Sequence, residues 1–407
     1  MTQAVVGLTG PFGSGCTRAS EFLRDERNFR IIRLSDTLRT LWAKRRSTAA
    51  SRGDLQRLGD ELRATMGSGV LVDLSVLPEE KPGEHLVIDG IRNLGEIESL
   101  RRLFGYKFVL VAIISSFEDR WHRVGPSEYT NRNLSQLDFA ADDQRDSNEE
   151  TAFGQQVQLC IDKADILIDN RARVTLREFR EKILSYVDLA TGVALRHAKQ
   201  SEILMNMAYS ASASSKCLKR NVGAIVVDAH GSVVAVGYNE NPLRTRPCVE
   251  EPLYGNRCHR DNVRNQHFAL LSERGARCPV CGQQLRPIQG PPWHCDACAT
   301  EGIKTNLEQF FFPDKAMTWC TAVHAEVWAI LAAGERARGG ELYTTTHPCF
   351  QCAEKIAQAG IRRVCFTEAY PDADSAKRLT MAGVELVQFE GVRSASFERI
   401  FARNRPA

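Results

Sequence analysis

The chain of 407 residues has no long apolar run. Its longest, FVLVAII at 108–114, falls far short of the ~20 residues needed to span a bilayer. The start of the chain has no charged region followed by an apolar stretch and a cleavage site, so the expected location is cytoplasmic, with no membrane partner. Nor is there a charge excess. Lysine and arginine total 53 against 50 acidic residues, a net charge of +3 that argues against a polyanion coat or duplex nucleic acid as main partner. Internal repeats and low-complexity tracts are also missing. Hydrophobic content of 43% and charged content of 25% belong to a globular protein, and the length calls for two domains or three. Cysteine, by contrast, is abundant, at thirteen residues. In a reducing compartment clustered cysteines read as metal ligands rather than disulfides. Six of them form the C-x-x-C pairs Cys278/Cys281, Cys295/Cys298 and Cys349/Cys352.

One further absence is a single lysine. Residues 10–17, GPFGSGCT, fit the phosphate-loop pattern G-x-x-x-x-G-K-[ST] except at Cys16. A strand at 4–9 leads into the loop and a helix over 18–24 follows, which is the context such a loop needs. Further strands at 86–90, 107–114 and 165–168 alternate with helices such as 54–66 and 95–104. That alternation predicts a parallel sheet with helices on both faces, a P-loop NTPase-like domain over 1–190. Loop amides and the following helix N-terminus can cradle phosphates without a lysine. Gly10, Gly13, Ser14, Gly15, Cys16 and Thr17 are the nucleotide-binding candidates. Thr17 can hold magnesium, Asp89 is either a second ligand or an acidic N-cap or turn residue, and Arg92 and Arg145 are either phosphate contacts or solvated side chains. Without the lysine charge, phosphoryl transfer should be slow, so the expectation is a sensor or a vestigial site rather than an efficient kinase.

The stretch 176–215 reads as helical without a linker, and a second α/β domain is expected over 195–407. Its strands are 222–228 and 233–237, joined by a DAHG turn. A polar insertion occupies about 243–318. A helix over 324–334, the strand ELYTTT, a helix over 350–359 stopped by Gly360, and the strand RRVCFT follow. This domain contains HAE at 324–326 and PCFQC at 348–352. The pattern H-x-E with P-C-x-x-C is the signature of zinc-dependent nucleobase deaminases. A catalytic zinc takes three protein ligands and leaves a fourth position for water. His324, Cys349 and Cys352 supply the three, and Glu326 is the proton shuttle. In the insertion, the Cys278/Cys281 and Cys295/Cys298 pairs flank thirteen residues, a ribbon spacing suited to a structural zinc. Cys248, Cys258 and His259 are unassigned, either further ligands or, the favoured reading, ordinary polar or buried residues. Lys216, Lys219 and Arg220 are nearby cations.

Residues 220–242, TAVHAE at 321–326, 347–366 and AYPDADS at 369–375 resemble deoxycytidylate deaminases. The resemblance implies a cytidine-deaminase-like α/β/α domain and hydrolytic removal of the exocyclic amine from a deoxycytidine nucleotide. It implies that Asn239 holds the deoxyribose, that Tyr370 lies by the base, and that the Ala325 amide binds the pyrimidine carbonyl. Together with the first domain, including LQRLGDELR at 55–63, IDGIRNLGEIESLR at 88–101 and AADDQRDSNEE at 140–150, nearly the whole chain resembles bacterial antiphage dCTP/dCMP deaminases. That resemblance implies drainage of the dCTP pool, control by the first domain, a nucleotide effector, a homo-oligomer, and an inhibitory RNA or phage-derived trigger. Two other readings compete. Deamination of a base within nucleic acid is opposed by the weak net charge and by Asn239 and Tyr370. A P-loop kinase or NTPase with a binding-only second domain is opposed by Cys16 and by the intact His324, Glu326, Cys349 and Cys352.

Overall fold

The computed structural model describes residues 4–46, 48, 50–79, 81, 83–125, 135–147, 154–242, 245–252, 255, 257–263, 265–266, 281–283, 320–368 and 373–402. Cys278, Cys295, Cys298 and Tyr370 lie outside the described residues, and with them most of the expected insertion. The chain divides into two compact units, Met1–Asn206 with Gln388–Ala407, and Met207–Val387.

The first unit is built on a six-stranded sheet in the order β11-β5-β4-β1-β3-β2. Its strands are β1 (Val5–Thr9), β2 (Arg30–Arg33), β3 (Leu86–Ile91), β4 (Phe108–Ile114), β5 (Ile166–Asp169) and β11 (Gly391–Val392). β1 pairs in parallel with β3 and β4, and the sheet is parallel except at β11. Its central strands are apolar and buried along their length, as strands covered on both faces must be. Helices α1 (Cys16–Arg27), α2 (Leu34–Arg45), α3 (Arg52–Met66), α4 (Val70–Ser75), α5 (Leu94–Phe104), α6 (Phe117–Val124), α7 (Gln136–Ser147), α8 (Val157–Asp162), α9 (Leu176–Thr191) and α10 (Gln200–Ser212) follow in order. Three of them start on capping boxes legible in the sequence: Ser51 with Asp54, Asn93 with Glu96, and Thr175 with Glu178. Val6, Leu8, Val109, Val111, Ile166 and Ile168 point with period 2 into one core with Leu23 of α1 and Phe179 and Ile183 of α9.

Two features depart from the expected layout. β2 was not among the expected strands, yet it pairs in register with β3. The last segment, expected within the second domain, belongs to the first unit. Its β11 caps the exposed edge of β5 antiparallel, and Val392 and Ile400 enter the first core. Arg393 Nη1 donates to the Ile161 carbonyl at 2.7 Å, and Glu202 accepts from the Val392 amide at 2.9 Å.

The second unit has a five-stranded sheet, β10-β9-β8-β6-β7. Its strands are β6 (Gly223–Val227), β7 (Val233–Tyr238), β8 (Glu341–Thr346), β9 (Arg363–Glu368) and β10 (Glu385–Gln388). β6 runs antiparallel to β7 and β8, and β8 is parallel to β9. Asp228 closes the β6–β7 hairpin by accepting from the amides of His230 and Ser232, each at 3.0 Å. Helices α11 (Ala325–Ala333), α12 (Phe350–Gln358) and α13 (Ala373–Met381) complete this unit, and α14 (Ser394–Ala402) lies in the C-terminal segment. Ala325, Ala329, Cys352, Ala353 and Ile356 form one core with Ala224, Val226 and Leu342. Such small side chains on α11 require close approach, and Gly237 in β7 permits it. A Cβ there would run into the Ala325 carbonyl and the Ala329 amide. Gly237→Ala should therefore push α11 outward, cost about 1–3 kcal/mol in thermal or denaturant unfolding, and lower activity more than an alanine at an exposed glycine such as Gly383.

Candidate active site

Two helices of the second unit start at one place. His324 is extended and is the N-cap of α11, and Cys349 is extended and is the N-cap of α12. Neither N-cap side chain makes a capping hydrogen bond. His324 Nδ1 lies 3.2 Å from Cys352 Sγ and 3.4 Å from Cys349 Sγ. These three ligand atoms lie within 4.8 Å of one another. Among the described residues they are the cluster of metal-ligating side chains.

The three groups perturb one another strongly. Cys349 is held down at about 4, first by the hydrogen bond from Cys352 and then, against burial, by His324. Cys352 is pushed well above the usual thiol value, because it donates that bond and is buried beside Glu326. His324 is raised by its bond to the Cys349 thiolate. Two cysteine sulfurs and an imidazole converge in a buried place beside the Glu326 carboxyl. One divalent cation would satisfy all three donors, so the set fits zinc.

Glu326, in the first turn of α11, is 4% exposed, and its Oε2 sits 3.6 Å from Cys352 Sγ. Burial raises the affinity of this carboxyl for a proton. A cavity of about 240 Å³ opens in front of it. His324, Ala325, Glu326 and Cys349 line it, and Glu326 is the carboxylate of its described wall. Asn239, Thr346 and His347 line the sides, with the cations Lys219, Arg220 and Arg260.

Asn239 lines the cavity, but its amide is engaged. Oδ1 accepts from the Val222 amide at 2.7 Å and Nδ2 donates to the Arg220 carbonyl at 2.8 Å. One N–H and one lone pair remain for a ligand. Lys219 pairs with Asp261 and Arg220 with Glu368. Lys216 is not on the described wall and pairs with Glu250 at 2.6 Å. Thr346, His347 and Arg260 were missed. His347 Nδ1 meets the Pro348 carbonyl at 2.9 Å, and its ring stands edge-on to Phe366. The sequence signal available was the His beside PCxxC. Cys258 is buried on the cavity wall, and Cys248 Sγ lies 3.9 Å from Thr321 Oγ1. Cys281 is exposed.

In the first unit, residues 10–17 line a cavity of about 380 Å³. Gly15 caps α1 at φ 115°, a backbone region that favours glycine. Thr17 Oγ1 donates to Asp89 Oδ2 at 3.0 Å, so the two candidate magnesium ligands do meet. The Cys16 thiol is pushed up to about 12 by burial and by Asp89, so it is neutral. Arg92 lines this cavity, but Arg145 does not and instead donates to Asp60 at 3.2 Å. Arg123, missed in the sequence, lines the cavity and donates to the Gly13 carbonyl at 3.3 Å.

The family described as "Cytidine and deoxycytidylate deaminase zinc-binding region" matches residues 198–368. The chain is similar to a deoxycytidylate deaminase of Schizosaccharomyces pombe, 27% identical over 390 residues, 94% of this chain and 97% of that protein. A UPF0200 protein of Saccharolobus islandicus is 34% identical over 126 residues, 30% of this chain and 64% of that protein. A dCMP deaminase from the cyanophage S-TIM5, solved with dCMP and dUMP, is 24% identical, covering 47% of this chain and 100% of that one, with a TM-score of 0.29. No helix among the described residues is long and apolar enough to cross a membrane. Residues 198–368 thus carry a zinc-binding deaminase region of the cytidine and deoxycytidylate kind, with its donor set assembled at two helix N-termini, and the chain is a deaminase hydrolase.

Proposed function

We propose that this enzyme hydrolyses the exocyclic amine of free deoxycytidine nucleotides, dCTP and dCMP, to give the deoxyuridine nucleotides and ammonia. The observation that carries this reading is a buried carboxyl, Glu326, placed beside a His/Cys/Cys donor set in a small cavity rimmed by cations. The volume suits a base and its sugar rather than a strand. The cations suit phosphates, which a nucleoside lacks. The relative of similar length being named a deoxycytidylate deaminase supports the same substrate class.

His324, Cys349 and Cys352 would hold the zinc. When bound, zinc lowers the pKa of water enough to supply a nucleophile near neutral pH. Glu326 then handles the protons. As a carboxylate it accepts one from the attacking water, and its buried setting lets it hold that proton until the ring nitrogen takes it. A second transfer through the same carboxyl gives the departing amine its proton. A carbon–nitrogen bond breaks, a carbon–oxygen bond forms, and one water is consumed per ammonia. The Ala325 amide, in the first turn of α11 and on the cavity wall, would donate to the pyrimidine carbonyl. Asn239, with its remaining N–H and lone pair, would hold the deoxyribose. Tyr370, outside the described residues, is assigned to the base by resemblance alone, and Cys281 with the three cysteines outside them to a structural zinc.

The glycine-rich loop is the proposed regulatory site. It would bind a nucleoside polyphosphate with magnesium at Thr17 and Asp89, and its occupancy would set deaminase activity. The consequence is controlled drainage of the deoxycytidine nucleotide pool, as a defence against phage would need. An oligomeric assembly, a nucleotide effector and an RNA or phage-derived trigger complete the reading.

Glu326→Gln should retain zinc and lower kcat for dCMP and dCTP by roughly 10²–10⁴-fold, measured as ammonia release. Cys349→Ser should lose about one zinc equivalent per chain along with turnover. Wild-type protein leaving both nucleotides intact, with and without ATP, GTP and dTTP, would sink the assignment. At the loop, wild type should bind ATP without brisk hydrolysis, and ATP should change the deamination rate. Thr17→Ala should abolish that change. Brisk hydrolysis by wild type, or a rate indifferent to ATP, contradicts the regulatory role.

A further inference from the structure

The chain passes between the two units at two places, Asn206/Met207 and Val387/Gln388. The first crossing lies inside α10, whose thirteen residues begin in one unit and end in the other. The second directly precedes residues 388–390, which lead into β11. Within the first unit, a run of hydrogen bonds joins the glycine-rich loop to both.

The run starts at Ser14, whose carbonyl accepts from Asn170 Nδ2 at 2.7 Å. Asn170 follows Asp169, the last residue of β5. The Asp169 amide donates to Glu390 Oε2 at 3.1 Å, and the Asp169 carbonyl accepts from Lys182 Nζ at 3.2 Å. Lys182 Nζ also donates to Glu390 Oε2 at 2.6 Å, a charge-assisted bond. Gly391 and Val392 come next and are the whole of β11. The Val392 amide donates to Glu202 Oε1 at 2.9 Å. Glu202, fully buried near the start of α10, also accepts from Arg196 twice at 2.7 Å and from the Lys199 amide at 2.8 Å. Gly391 lets β11 and α10 meet. Its φ is 145°, and a Cβ there would come within 2.8 Å of Glu202 Oε1.

β11 is the part of this run with two states. Two residues are far fewer than the about five or six usual for a strand. Its place beside β5 is therefore set by the carboxylates next to it, Glu390 and Glu202, and its pairing forms or dissolves as a whole. The far half of α10 has its own attachments, within the second unit. Tyr209 Oη donates to Glu368 Oε1 at 3.4 Å, and Glu368 pairs with the cavity cation Arg220. A Cβ on Gly223 of β6 would strike the Ala208 carbonyl, so helix and strand touch there. Just past the helix, Ser215 Oγ donates at 2.7 Å to the carbonyl of Asn239, a residue of the cavity wall.

We propose, on the reading that the loop binds a nucleoside polyphosphate, that Glu390 and β11 couple occupancy of the loop to α10, the helix whose far half holds residues of the deaminase cavity. The Ser14 carbonyl and the Gly15 N–H belong to one planar peptide unit. An anion accepting from that N–H polarises the unit and strengthens the Asn170 bond at its other end. Asn170 then holds the end of β5 in place, Asp169 keeps its grip on Glu390, and β11 stays paired against Glu202. Occupancy thereby secures the start of α10.

Hydrogen exchange on the full chain reads this coupling, with magnesium and a non-hydrolysable ATP analogue as the loop ligand. In wild type the analogue should slow exchange over residues 200–212 and 388–393 by roughly fivefold or more. Glu390→Ala should still bind the analogue and still deaminate dCMP, yet the analogue should change neither its exchange there nor its rate. Lys182→Met removes one donor from a partly exposed pair, 28% and 19% exposed, and leaves no buried void. It should show a reduced response, and it decides the matter if Glu390→Ala does not fold. Arg177→Gln loses only an exposed pair with Glu181 on the same helix as Lys182 and should respond as wild type. Exchange in α10 that ignores the analogue in wild type overturns the coupling, and the regulatory reading stands if the deamination rate still responds. A response undiminished in both Lys182→Met and Glu390→Ala overturns it as well. A wild-type rate indifferent to the analogue sinks the regulatory reading instead, while exchange still upholds or overturns the coupling of loop to helix. An analogue that does not bind overturns both.

Discussion

The close contact of α11 with β7 governs the chemistry of the second unit. Gly237 offers no side chain, so the helix backbone rests on the strand. Alanines at 325, 329 and 333 keep the same face of the helix small. That depth buries Glu326 and sets His324 at the level of the α12 N-terminus, within 3.4 Å of both sulfurs. Interiors pack densely and do not deform continuously. A helix displaced outward would separate the imidazole from the thiols and let water reach the carboxyl. Ligand geometry, thiolate formation and the raised carboxyl are therefore consequences of one packing choice.

The first unit organises its site by charge rather than by small residues. Arg120 is buried and donates to the Phe12 carbonyl at 3.2 Å while gripping Asp143 with two bonds. Arg123 takes the Gly13 carbonyl, and Asn170 Nδ2 takes the Ser14 carbonyl at 2.7 Å. In a trans peptide the following N–H points away from the carbonyl. Holding these carbonyls outward therefore turns the Gly13 and Gly15 amides toward the space the loop encloses, the arrangement an anion needs. Asp146 performs a related service nearby, accepting from Arg52, Arg92 and Gln56.

The parts legible in the sequence were those set by local rules. Apolar strand runs, alternating helical stretches and glycines at turns located many elements to within a few residues. The zinc donors were legible because a ligand at a helix start leaves a short, fixed spacing. What escaped depends on pairings distant in the chain. β2 is four residues long with arginine at both ends, and only its partner β3 makes it a strand. β11 is two residues long and becomes a strand by meeting β5. Arg145 looked like a phosphate contact until Asp60 claimed it. Nothing local foretells that Arg220 would face Glu368, or that Glu368 would also receive Tyr209 and Thr346.

Cys16 draws these threads together. A P-loop lysine serves transfer because it carries charge on a flexible stem that follows the phosphate as its charge redistributes. Here the thiol is neutral, and the positive groups at the loop are Arg18, Arg92 and Arg123. Arg92 is tied to Asp146 and Gln155, and Arg123 to carbonyls of Gly13 and Asn170 and to Ser115. Charges fixed in this way stabilise a bound anion but do not track a reacting one. The arrangement favours occupancy over turnover. On the regulatory reading proposed above, a ligand that is held and not consumed can shift an equilibrium by its full difference in affinity between two states, for as long as it stays bound.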